Sequence, residues 1–78
     1  MAVLRLFAAA REAAGTDRDT FDADTVGGVL ALARARYGDG FAAVLDRCKV
    51  WRNGEPAGVD EPVTAGDEVA VLPPVSGG

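Results

Sequence analysis

A single strong helical stripe stands among short strand-like runs, and that ratio limits the architecture more than any other property of the chain. Val26, Val29, Leu30, Ala33 and Tyr37 recur at helical spacing, while Arg34 and Arg36 fall away from most of that stripe. Asp24 or Thr25 can cap this helix, and Gly38 ends it. Gly27 and Gly28 weaken its first turn by about 1 kcal/mol each relative to alanine, so a close backbone approach to a sheet is expected there. One helix can cover one face of one sheet, and little else is available to bury either surface.

The remaining segments supply that sheet. Ala2 to Ala8 reads as a first strand, with Leu4 and Leu6 toward the core and Val3, Arg5 and Phe7 on the other face. Ala9 to Ala14 has high helix propensity, but Gly15 stops it after little more than a turn. Thr16 to Asp22 reads as a second strand returning by a hairpin. Phe41 to Leu45 is expected to form a short helical turn, Cys48 to Arg52 a third strand, and Asn53-Gly54 a tight turn. A short edge strand near Ala57 to Val59 and a turn at Ala65-Gly66-Asp67 precede the last strand, Glu68 to Leu72. In it Val69 and Val71 share one face, and Glu68, Ala70 and Leu72 the other. The order describes an α+β roll, a mixed sheet of about five strands with one main helix, which fits the β-grasp arrangement used by ubiquitin. The expected division is a β-grasp domain over residues 1–72 and a flexible C-terminal diglycine tail over residues 73–78.

Composition removes most chemistry from the side chains. The chain has 78 residues, room for one small domain, and 15 alanines among its apolar residues leave enough large side chains for one core. Histidine is absent and Cys48 is the only cysteine, which excludes a His-based triad, a Cys/His zinc cage and an internal disulfide; no metal site is expected. Eight basic against twelve acidic residues give a net charge of −4 with no basic cluster, so nucleic acid is a poor partner and a protein with a basic docking face a better one. The opening MAVLRLFAAAREAAG carries arginines inside its apolar stretch, unlike a signal peptide or membrane span, so a cytoplasmic protein is expected. Cys48, without a histidine to activate it, reads as structural. Tyr37 reads as core, and Trp51 as a packing or sheet-face aromatic whose direction is open.

Chemistry is left to the chain end. The last strand runs straight into Pro73-Pro74-Val75-Ser76-Gly77-Gly78, and two successive prolines cannot donate to a sheet ladder, so the chain must leave the sheet there. Extended, those six residues project the end roughly 20 Å from the body. Gly77 and Gly78 make it narrow enough for an enzymatic channel in which any Cβ would clash. The chain carries no P-loop or phosphate cradle, so any ATP used to activate the terminal carboxylate must be bound by another protein.

Three segments, Phe7-Ala8-Ala9-Ala10-Arg11-Glu12-Ala13-Ala14-Gly15, Gly66-Asp67-Glu68-Val69-Ala70 and Leu72-Pro73-Pro74-Val75-Ser76-Gly77-Gly78, resemble the MoaD/ThiS sulfur carriers, the first of them MoaD, the small subunit of molybdopterin synthase, more particularly. The resemblance implies that the Gly78 carboxylate is adenylated by an E1-like enzyme of the MoeB type and becomes a thiocarboxylate through a sulfur donor protein. The chain would bind no cofactor; ATP would be used by the activating enzyme. It further implies that the tail enters a MoaE-like large subunit, in a heterotetramer, and gives sulfur to cyclic pyranopterin monophosphate. Gly78 would then carry the reacting group, and Pro73, Pro74, Val75, Ser76 and Gly77 would steer it. The same tail suits a carrier for thiazole, thiolated tRNA or cysteine synthesis, or a ubiquitin-like modifier of lysines. Phe7 and Leu72, on the faces opposite Leu4/Leu6 and Val69/Val71, are expected to form an exposed apolar docking patch, as the family's sheet face does. Arg11 and Glu12 are expected to serve structure, through an ion pair or capping near the short helix.

Overall fold

A computed structural model describes residues 1–74. Its elements are β1 (Ala2–Leu6), α1 (Ala8–Ala14), β2 (Arg18–Phe21), α2 (Val26–Tyr37), α3 (Asp39–Leu45), β3 (Lys49–Arg52), β4 (Glu55–Pro56) and β5 (Glu68–Leu72). The five strands form one mixed sheet in the order β2-β1-β5-β3-β4, with β1 and β5 parallel and the other neighbours antiparallel. This is the ubiquitin-like β-grasp fold, with α2 as its main helix and α1 and α3 as shorter ones.

The core follows from the two periodicities. In register, Leu4 lies opposite Val69 and Leu6 opposite Val71, so one sheet face presents a continuous apolar surface. All four are buried, together with Val26, Val29, Leu30 and Ala33 of α2, Phe41 and Leu45 of α3, and Ala10 of α1. Each large side chain so buried contributes about 1.5 to 3 kcal/mol of transfer free energy. The alanine-rich segment Ala8–Ala14 and the run around Phe41 are therefore helices of seven residues each that close the core.

Three local expectations need correction. The first strand ends at Leu6, because the chain turns directly into α1 at Ala8. The edge strand is Glu55–Pro56, not Ala57 to Val59: Asn53 and Gly54, at φ 49° and 85°, make a two-residue hairpin that sets Arg52 opposite Glu55 and Trp51 opposite Pro56. Residues beyond Ala57 are drawn instead to the start of α2, where Gly27 N–H donates to the Val59 carbonyl at 2.8 Å and Val26 N–H to that of Glu61 at 2.9 Å. The glycine of the first turn thus approaches this loop, not the sheet, and a Cβ on Gly27 would sit 3.1 Å from the Val59 oxygen. Thr25 is the N-cap, its Oγ1 accepting from Gly28 N–H at 3.0 Å.

Two polar groups pin the sheet to its surroundings. Asn53 donates to Asp67 at 3.0 Å and accepts from Glu68 N–H at 2.9 Å, tying the hairpin to the start of β5. Asp19 on β2 accepts from the Tyr37 hydroxyl at 2.5 Å and pairs with Arg36 at 2.8 Å. The Tyr37 hydrogen bond and the Arg36 guanidinium hold the Asp19 carboxyl below its ordinary range against the opposing effect of burial, which raises the phenol of Tyr37.

Replacing Asn53 by alanine removes both side-chain hydrogen bonds and strains the positive φ, and should cost about 2 kcal/mol in urea unfolding, whereas Asn53→Gly, which relieves the backbone, should cost less. The depressed Asp19 carboxyl releases its proton more readily folded than unfolded. Its contribution is therefore full above the unfolded value near 3.9 and lost as pH falls through the folded value. Asp19→Asn should accordingly flatten the acid limb of the stability profile below about pH 4, measured by denaturant titration across pH.

Candidate functional site

Parallel pairing brings the C-terminal ends of β1 and β5 out side by side, so Phe7 and Leu72 emerge together where the chain leaves the sheet toward Pro73. Both are exposed, at 40% and 38%. Trp51, whose direction the sequence left open, lies opposite Ala70 in the β3–β5 register and therefore shares the outer face with Leu72. Phe7, Trp51, Ala70 and Leu72, with Gly54 and Glu68, line a shallow depression of about 340 Å³. Arg5 crosses this face, pairing with Glu68 at 3.6 Å with its guanidinium 5.8 Å from the Phe7 ring centroid. Both partners are well exposed, so the pair is worth at most about 1 kcal/mol and yields readily to a competing surface.

Phe7 continues the alternation of β1 onto this face, its backbone still extended at φ −129° and ψ 150°, and an unusual turn follows it. Phe7 is the N-cap of α1, and the next residue, Ala8, has φ 49°, the left-handed region that a side chain rarely adopts. No periodicity signals that strain. It lets the chain pass from β1 into α1 within one residue, and α1 then meets α3 beside the tail root.

Other sequence-selected residues sit apart from this patch. Arg11 and Glu12 are exposed and neither belongs to an ion pair among the described residues; the expected capping falls instead to the Arg11 backbone carbonyl, which accepts from Gly15 N–H at 2.9 Å. Cys48 is partly buried, its Sγ donating to the Val44 carbonyl at 3.2 Å, and burial raises its thiol, so the reactive thiolate is disfavoured. Tyr37 packs edge-on against Phe41, ring centroids 5.0 Å apart. Pro73 is half-buried and Pro74 exposed; Val75, Ser76, Gly77 and Gly78 lie outside the described residues. No helix among the described residues is long and apolar enough to cross a membrane.

The model of the ThiS family matches residues 4–78. The chain belongs to that family. It is 41% identical to small archaeal modifier protein 1 of Haloferax volcanii, over 95% of this chain and 97% of that one. The solution structure of small archaeal modifier protein 1 from Methanosarcina acetivorans superposes with a TM-score of 0.88 at 27% identity, covering 99% of this chain and 95% of the other. A structure assigned to subunit 1 of a molybdopterin converting factor from Pyrococcus furiosus gives 0.83 at 25% identity, over 95% and 97%. This ThiS-family chain is thus a ubiquitin-like sulfur carrier or modifier, a class that does not catalyse by itself.

If Ala8 is strained as its φ indicates, Ala8→Gly should raise the free energy of unfolding by about 1 kcal/mol, read as a higher urea midpoint at unchanged slope.

Proposed function

We propose that this protein carries sulfur as a thiocarboxylate on Gly78 and acts as the small subunit of a molybdopterin synthase. The observation that carries the reading is the place of β5: a strand in the middle of the sheet hands the chain to Pro73-Pro74 beside the patch of exposed Phe7 and Leu72 and half-buried Trp51. A partner seated on that patch would receive the tail at the same time.

The chemistry is that of a poor electrophile made reactive. An E1-like enzyme of the MoeB type binds ATP, the Gly78 carboxylate attacks the α-phosphorus, and pyrophosphate leaves. Hydrosulfide from a sulfur donor then forms a C–S bond at the acyl carbon, the acyl C–O bond breaks with its electron pair and oxygen leaving on AMP, and the sulfur's proton goes to solvent. The thiocarboxylate is a stored nucleophile. A MoaE-like large subunit, in a heterotetramer, takes the tail and passes the sulfur to cyclic pyranopterin monophosphate. This chain's own residues supply position only: Phe7 and Leu72 dock, Pro73, Pro74, Val75, Ser76 and Gly77 guide the end, and burial raises the Cys48 thiol, which disfavours its thiolate as a competitor. The likeness to a molybdopterin converting factor subunit supports the pathway.

A second reading is favoured by the 41% identity to a protein named as a modifier: the same adenylate could be attacked by a lysine amine, forming an isopeptide bond. Both readings share the activation step and differ in the nucleophile.

Incubation with ATP, the adenylating enzyme and sulfide should raise the intact mass by one oxygen-to-sulfur exchange, and deletion of Gly78 should abolish it. Leu72→Arg should slow the exchange about tenfold or more while leaving the thermal midpoint nearly unchanged, because the side chain is exposed. An unchanged mass with the cognate enzyme contradicts the proposal; Gly77-Gly78 remnants on lysines of other proteins, without any thiocarboxylate, favour the modifier.

A further inference from the structure

The tail root has a second side. Opposite the outer-face patch, Ala9 of α1, Ala43 and Val44 of α3, Arg47, Pro73 and Pro74 line a groove of about 420 Å³. Its walls are alanine methyls, a valine and two pyrrolidine rings. Its one charge is Arg47, which is exposed and, like Arg11 and Arg18, has no carboxylate within ion-pair distance among the described residues, whereas Arg5, Arg34 and Arg36 each pair with one and Arg52 with two. The groove is therefore apolar within and cationic at its rim.

Its position decides what can cover it. Four residues separate Pro74 from the end of Gly78, a span of at most about 14 Å. Any protein that acts on the Gly78 carboxyl must bring its surface within that distance of Pro74, which is itself a wall of the groove. A standard contact buries about 800 Å² on each partner, a patch roughly 30 Å across and wider than the reach of the tail. Such a protein meets both sides of the tail root.

We infer that this groove is a second docking surface for the activating enzyme, accepting from it an apolar side chain flanked by a carboxylate that pairs with Arg47. The inference rests on the activation step proposed above and adds its charge requirement. The two sides differ in their lining: Phe7, Trp51 and Leu72 give the sheet face large apolar side chains, and the helix side joins small apolar groups to Arg47, unpaired among the described residues. The adenylating enzyme should accordingly carry an acidic group beside its tail channel.

The test is steady-state ATP–pyrophosphate exchange with the full chain and the MoeB-type enzyme of the same organism, using Ala43→Arg, Arg47→Glu and Arg47→Lys. Positions 43 and 47 are exposed, so these chains should keep the wild-type thermal midpoint. Ala43→Arg and Arg47→Glu should raise KM for the carrier about tenfold or more, with kcat within about twofold, because they touch association and not the chemistry. Arg47→Lys should stay near wild type, and the rise of KM with salt should be shallower for Arg47→Glu. If Ala43→Arg lowers the midpoint, the amide shifts of Ala9, Ala43 and Arg47 in the wild-type chain on adding the enzyme decide in its place, movement supporting the groove and no movement refuting it. KM values equal to wild type for Ala43→Arg and Arg47→Glu overturn the groove while leaving the carrier reading intact. No exchange with wild type overturns that reading, and the groove with it.

Discussion

The parallel pairing of β1 with β5 is the constraint on which the rest of the molecule depends. It joins residues near the two ends of the chain in the centre of the sheet, setting Leu4 against Val69 and Leu6 against Val71. The chain between them supplies the flanking strands of the sheet and the helices over its buried face, where α2 presents its stripe of Val26, Val29, Leu30 and Ala33. The same pairing fixes where the chain leaves. Because parallel strands end on one side, Leu72 departs beside Phe7, and the tail starts between an apolar sheet face and a groove under α1 and α3.

How much of this could be read from the residues depends on whether the signal is local. The helix from Val26 to Tyr37, its start at Asp24 or Thr25, the Asn53-Gly54 turn and the inward faces of β1 and β5 all show in spacing, because each is dictated by one periodicity or one turn geometry. The direction of Trp51 was not legible, since it depends on the register with Ala70 on a distant strand. The edge strand was misplaced by two residues because the loop after it is held by hydrogen bonds to α2, far away in sequence. Ala8 in a left-handed conformation leaves no trace in an alanine-rich run that favours helix at every position. The groove, assembled from three separate segments, has no sequence signature, and nothing local marks Arg47 as its one charged residue.

Function in such a chain is a matter of delivery. Side-chain chemistry is sparse: there is no histidine, and burial raises the one thiol, disfavouring its thiolate. What the described residues offer is a strained corner at Ala8 and an apolar face beside the strand that leads to Pro73, and in the proposed reading a partner seated there draws the chain end into its channel. Sulfur carriage and lysine modification, the two readings proposed, share that arrangement, because in both an activation step would precede the choice of nucleophile. Specificity then lies with the partners and with the surfaces around the tail root that they read.

The most direct measurement replaces the native gene with one encoding a single alanine beyond Gly78 and examines the protein recovered from those cells. If the reacting group is the glycine carboxylate, the extended chain should fold normally yet carry neither thiocarboxylate nor lysine linkage, while the native chain carries one of them. An extended chain loaded as fully as the native one would contradict a reactive centre at the chain end.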